Sequence, residues 1–365
     1  MNRNSICLCW CSSPTNHRYL NLLNLCLCWC SSPPNHRYLN LLKRSTIHSI
    51  IFVLLASFSS LAQTWKVATP LNLPEKRNES GMGVANGKVY LLGGRGLKPV
   101  NEYDPKTNRW NSLSVPPIEL HHFQAVSYKD EVYILGALTG GYPHELPVPN
   151  IYIFNPAKNE WRKGAEIPEA RRRGSAGVFV LNNKIYLVCG ITDGHWDGHV
   201  TWFDEYDPAT GKWTVLTDAP RARDHVQVAV LDNKLYVAGG RLSTARTGNV
   251  LNTGVKETDV YDFKSGQWST LDAVNNIPTL RAGNTTVVFD NKILLIGGES
   301  DAHEVAHNET EAFNPKTNQW EKLPTLIVGR HGTQGVVLNK KVYIASGSGN
   351  RGGGPELDEM EILEK

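Results

Sequence analysis

Three groups of side chains have the types and spacing to do chemistry. His303-Glu304-Val305-Ala306-His307 matches H-E-x-x-H, in which two His on one helical face hold zinc and the Glu acts on the bound water. Asp193, His195, Asp197 and His199, within Asp-Gly-His-Trp-Asp-Gly-His, crowd possible ligands for a divalent ion into a glycine-rich stretch. Asp224-His225 beside Arg223, with Glu79, Glu119 and His122 elsewhere, pairs carboxylate with imidazole as general acid–base catalysis requires. The local setting argues against the first two. His303 and His307 lie between strand patterns, with Asn308 following and no long helix to align them. The second group reads as a solvated loop with Trp196 packed down. No Gly-x-Ser-x-Gly elbow, phosphate loop or dinucleotide fingerprint occurs. Nothing here specifies a reaction, so no metal or cofactor is expected and a non-enzymatic role is favoured.

The elements that must position these residues follow from internal repetition. Small-residue pairs end apolar strands at Gly93-Gly94, Gly136-Ala137, Cys189-Gly190, Gly239-Gly240, Gly297-Gly298 and Ser346-Gly347. Tryptophans alternate with them at Trp65, Trp110, Trp161, Trp213, Trp268 and Trp320. An aromatic stands seven residues before each of the last five Trp: Tyr103, Phe154, Tyr206, Tyr261 and Phe313. The turns between, such as DPKTNRW and NPKTNQW, read as tight reversals. A second short turn precedes each small pair, so every unit contains two hairpins joined by a loop of variable length. Six units of about 50 residues result, each of four short strands that we call a to d. One such sheet cannot bury both faces, so the units pack face to face around an axis. The chain is expected to be all-β, a six-bladed β-propeller of four-stranded antiparallel blades.

These motifs resemble the kelch-repeat family, whose double glycine, aromatic and Trp recur through residues 63–365. The resemblance implies a propeller, and a function that is usually binding and in fewer cases catalysis. The copper oxidases among such propellers use a Tyr–Cys crosslink. Cys189 replaces an inner-strand glycine here, which disfavours that chemistry. Trp65 has no small pair before it, and the last unit has no Trp after it. The N-terminal strand around Trp65 should therefore supply strand d of the last blade and remove a free edge.

In such a blade the b–c loops and the d–a connections share one end of the ring. The b–c loops 137–152, 190–204, 240–259, 298–311 and 347–358 are long, and the a–b and c–d turns are minimal. All nine histidines after Ala62 fall on the b–c and d–a side. Thirteen residues before the strand-b aromatic (Leu294 in the fifth unit), the chain carries Arg77, Leu120, Arg173, Arg223, Arg281 and Arg330. Two readings compete. Each Arg bonds loop carbonyls, or together they form a cationic ring for carboxylate, sulfate or phosphate, at least two of them unpaired. The expected ligand-binding set is Arg77, His121, His122, Arg173, Arg223, His225, Arg281, Arg330 and His331, with Leu120 marking a gap in the ring. The expected ligand is a protein or a carbohydrate, anionic ones included. The alternative is an enzyme on acidic sugars, a mutarotase or epimerase.

The first 62 residues belong to a different category. Six of the seven cysteines lie in a tandem repeat, CLCWCSSPTNHRYLNLL returning as CLCWCSSPPNHRYLNLL. A near-perfect copy without acidic residues reads as upstream sequence, so residues 1–42 are expected to lie outside the mature protein. Lys43-Arg44, the apolar run Ile50 to Phe58 and Ser60-Leu61-Ala62 compose a signal peptide over 43–62, cleaved before Gln63. A secreted or periplasmic protein follows, without stable membrane insertion once the signal is removed. The net charge of +3 comes from five basic groups before residue 63; the other 33 basic and 35 acidic groups nearly cancel. That balance excludes nucleic acid as the expected partner.

Overall fold

The computed structural model describes residues 63–365. The tandem repeat and the signal segment lie outside the described residues.

Strand alternation builds the ring. In strand b of the first blade, Lys88–Gly93, successive side chains point to opposite faces. Val89 and Leu91 join one buried cluster with Val336 and Tyr343 of the last blade, while Tyr90 and Leu92 join another with Val132 and Phe154 of the second. Lys184–Val188 repeats the division, Ile185 and Leu187 facing the second blade and Tyr186 and Val188 the fourth. Lys292–Ile296 does so again between the fourth and sixth. The core is thus a set of slabs, each between two neighbouring four-stranded sheets.

The blades run Ser80–Ala85 to Arg109–Ser112, Val126–Tyr128 to Glu160–Glu166, Gly177–Leu181 to Lys212–Val215, Val228–Leu231 to Gln267–Thr270, and Thr285–Phe289 to Gln319–Leu323. The sixth comprises Gly335–Leu338, Lys341–Ala345 and Met360–Glu364, and its outer strand is the N-terminal Thr64–Val67. Trp65 pairs with Leu363 in register and donates its indole N–H to Thr310 Oγ1 of the fifth blade at 3.0 Å. Trp213, Trp268 and Trp320 likewise donate to main-chain carbonyls of the preceding unit, Glu166, Thr217 and Asn275. The tryptophans therefore seal the gaps between blades.

The arginine ring requires a correction. Arg77, Arg173, Arg223, Arg281 and Arg330 are all buried, and each turns inward to its own blade. Arg173 donates to the Leu187 and Cys189 carbonyls and to Asp204 at 2.6 Å. Arg223 reaches Gly239 O and Asp259, Arg281 Leu295 O and Glu311, Arg330 Ser346 O and Glu361. Arg77 has Gly93 O, Pro99 O and the Asn101 amide oxygen. Each guanidinium staples the d–a segment to the end of strand b and the start of strand c. No guanidinium among the five is left for a ligand. Glu79 and Asp224, acidic residues close in sequence to Arg77 and Arg223, are not the partners these arginines use.

Blade two shows the same logic by omission. Leu120 stands where the others have Arg, and Tyr152 where they have Asp, Glu or Asn; both lie in one buried apolar cluster. Leu120 is therefore a core residue, not a gap in a ring. The charge and its acceptor are absent together, because either alone would be a buried unpaired group.

Two outcomes follow. Deleting residues 63–70 strips a strand and Trp65 from the last blade, so the melting temperature should fall by several degrees or folding should fail; an unchanged thermal melt would refute the closure. Arg281→Ala leaves Glu311 buried without its cation and should cost about 3–5 kcal/mol in chemical denaturation. The double variant Arg281→Leu/Glu311→Tyr copies blade two and should recover much of that loss. A neutral Arg281→Ala would contradict the staple.

Candidate functional site

The axis is lined by six equivalent residues, two positions after each Arg or Leu: Glu79, His122, Ser175, His225, Gly283 and Gly332. All six have left-handed backbone, φ being 53°, 53°, 53°, 50°, 61° and 61° in that order. Their main chains hand hydrogen bonds around the ring. His122 N–H donates to Glu79 O, Ser175 N–H to His122 O, Gly283 N–H to His225 O and Gly332 N–H to Gly283 O, at 2.9–3.1 Å. His225 N–H donates instead to Ser175 Oγ at 3.0 Å, and Ser80 N–H closes the circuit on Gly332 O at 3.2 Å. Glycine suits this conformation and two blades use it. The other four place Glu, His, Ser and His there at a cost of roughly 1–2 kcal/mol each.

Two of these residues, His122 and His225, meet His195 from the b–c loop of blade three. Ring centroids are 4.9 Å apart for His122–His225, 5.1 Å for His122–His195 and 4.7 Å for His195–His225. All three are buried. Each ring has one nitrogen held by a neighbour. His225 Nδ1 bonds the Asp224 carboxylate, which also accepts the Ser243 N–H and hydroxyl at 2.8 and 2.7 Å. His195 Nδ1 bonds Glu145 at 3.0 Å, and Arg95 donates to the same carboxylate at 2.6 Å. His122 Nδ1 meets His121 Nδ1 at 2.6 Å, and His121 Nε2 bonds Gly140 O at 3.0 Å. Among the described residues, none bonds His122 Nε2 or His225 Nε2. Glu79 Oε2 lies 3.3 Å from His122 Nε2.

Burial dominates the proton affinities. It holds His122 well below the ordinary imidazole range, reinforced by the rings of His121, His225 and His195. Burial, then Arg241, lowers His225 against the opposing pull of Asp224. For Asp224 burial pushes upward, but the His225 bond, Arg241 and the Ser243 N–H outweigh it and bring the carboxyl to about 2. Glu299 is likewise brought to about 2, with His331 and Arg241 overcoming its burial.

Above the histidines opens a pocket of about 390 Å³. Arg95, Tyr142, Arg241, Leu251 and Glu299 wall it, with Glu79, His122 and His195 at its base. Arg241 pairs with Glu299, which also accepts Gly352 N–H at 2.7 Å. Below them runs a narrow channel of about 30 Å³ that touches all six ring residues. The pocket's charges balance, so it has no cationic bias of the kind the arginine ring would have supplied.

Of the sequence candidates, His121, His122 and His225 converge. His331 belongs to the sixth blade; its Nε2 bonds Asn350 O at 2.9 Å and lies 3.5 Å from Glu299 in the pocket wall. The five staple arginines lie behind the site, within the blades. The Asp193–His199 group does not assemble. Asp193 pairs with His144, Asp197 with Arg246, His199 with Ser243 O, and only His195 turns to the axis. The H-E-x-x-H segment is a loop in which Glu304 pairs with Arg351 and His307 bonds Ser300 and Glu309. Arg95, Arg241 and Glu299 are not among the sequence candidates, although each stands at one repeat position, directly after a small pair. Glu145 had no such signal, since its loop has no counterpart of equal length.

Comparison with known proteins agrees with this architecture. Residues 122–347 match the KLHDC2/KLHL20/DRC7 Kelch-repeats domain. The Kelch-like protein terF of Aspergillus terreus is 28% identical over 291 residues, covering 74% of this chain and 61% of the relative. Human Kelch-like protein 38 is 25% identical over 266 residues, covering 71% of this chain and 42% of the relative. The chain thus spans only part of the length of either. The solved structure of YjhT superposes with a TM-score of 0.67 at 16% identity, covering 79% of this chain and 95% of that one, which bears on the fold alone. The sixfold repeat and the family match together place this chain in the kelch-repeat family.

Proposed function

We propose that the propeller is a protein-binding module that docks its partner on the face formed by the b–c loops and d–a segments, with one polar side chain of the partner entering the axial pocket. The observation that carries this reading is the pocket itself. Its volume of about 390 Å³ falls in the range of ligand sites, and it opens on the face with long loops. Tyr142, which lines it, stands 60% exposed, and Leu146 of the same b–c loop is 64% exposed. Aromatic and aliphatic groups so placed are the anchors of interfaces. Kelch domains generally bind proteins, which supports the same reading. An acidic sugar in this pocket would be a different function, and the experiment separates the two.

A displayed peptide library is selected against the propeller, and selected peptides are titrated against two variants. Tyr142→Ala on the loop face should weaken binding about tenfold or more, whereas Lys106→Glu in an opposite-face turn should leave it unchanged. The reverse pattern would refute the docking face. Calorimetric binding of an acidic monosaccharide, with anomer exchange seen by NMR, would replace this reading with the enzymatic one. Export belongs to the same proposal. Intact mass of native protein should place the N-terminus at Gln63, and retention of any earlier residue would overturn the signal cleavage.

A further inference from the structure

We infer that His122, His195 and His225 form a binding site for one divalent transition-metal ion of the zinc class, with Glu79 beside it. The site shares Glu79, His122 and His195 with the base of the pocket, but metal binding by these groups does not require that the loop face dock a protein. One ring nitrogen from each histidine lies within 4.8 Å of the corresponding atoms of the other two. Three nitrogens on a tetrahedral zinc lie roughly 3.3 Å apart, given a Zn–N distance of about 2.0–2.1 Å. Small side-chain rotations close that gap.

The hydrogen bonds determine which nitrogen each ring offers. His225 Nδ1–H donates to Asp224 and His195 Nδ1–H to Glu145, leaving Nε2 of each as a lone pair. Gly140 O can only accept, so His121 carries its proton on Nε2 and accepts on Nδ1 from His122 Nδ1–H. His122 is thereby left with a bare Nε2 as well. His122 Nε2 and His225 Nε2 are buried acceptors without a partner; acceptors crowded together repel, and a cation among the three rings removes the conflict. Each ring is also braced by a carboxylate or a second imidazole, the outer shell that metal-bound histidines require. Imidazole donors suit zinc, cobalt, nickel and copper ions rather than magnesium or calcium.

Two further features point the same way. His122 and His225 occupy left-handed positions that blades five and six fill with glycine, so the imidazoles are kept on the axis despite strain. Glu79 occupies a third such position, and its carboxylate lies 3.3 Å from His122 Nε2. It is placed to take the fourth coordination position or to hold a metal-bound water at the floor of the pocket.

The test uses purified residues 63–365, which comprise the whole propeller, stripped with a chelator and titrated with Zn²⁺ and Co²⁺ alone. One ion should bind per chain. The cobalt form should show the visible absorption of a tetrahedral site and three hyperfine-shifted imidazole N–H resonances. His195→Asn lies on a loop and should lower zinc affinity by more than about 100-fold. Glu145→Gln should lower it about 10–100-fold by releasing the ring it braces. His303→Asn, outside the cluster, should change nothing. Absence of stoichiometric binding at micromolar metal, fewer than three shifted imidazoles, or binding lost in His303→Asn but kept in His195→Asn would each overturn the site. Should His195→Asn fail to fold, the wild-type cobalt spectrum decides alone.

Discussion

A closed circuit of left-handed residues around the axis is the constraint on which the rest depends. Each blade must leave its predecessor, turn sharply and present strand a to the centre, and the turn forces φ near 50–60° at one residue per blade. The same turn exposes a main-chain N–H and a carbonyl to the neighbouring blades, and these satisfy one another around the ring. Everything placed at that residue faces the axis. Four blades place a polar side chain at this position despite the strain, and two use glycine.

Behind this circuit the arginines solve a separate problem. The segment entering strand a has carbonyls of strand b and a strand-c carboxylate close by, all out of reach of water. A guanidinium is planar and carries several donors, so it can satisfy them together. Its repetition in five blades reflects the repetition of the backbone, and its burial removes it from any binding role. The glycine after each small-pair residue contributes at the same place. Gly94, Gly190, Gly240, Gly298 and Gly347 each donate an N–H to the carbonyl of the next blade's Leu or Arg. At Gly190 an added side chain would meet Gly174 O at 2.7 Å, which explains why that position stays bare.

Chemical individuality is confined to what interrupts the repeat. His122, His225 and Glu79 stand where blades five and six have glycine, Arg241 and Glu299 follow small pairs, and His195 and Glu145 come from b–c loops whose lengths do not repeat. These residues depart from the sixfold pattern, and they are the ones that meet at the pocket and its floor. The residues that obey the pattern most faithfully, the arginines and tryptophans, are structural.

By itself the sequence determined the number of blades, their strands, the closure by Trp65 and the face that carries polar groups. Those features are periodic, and strand alternation, turn chemistry and glycine geometry express themselves within a few residues of one another. It also narrowed the histidines to one side of the ring. Only the tertiary structure decided that the arginines are staples and that His195 leaves its own loop motif to join His122 and His225. A guanidinium's partner is chosen by distance across a blade, and side chains about 30 to 100 residues apart in sequence meet only because six blades close on one axis. Periodicity cannot report that meeting, since the cluster is built from the places where periodicity is broken.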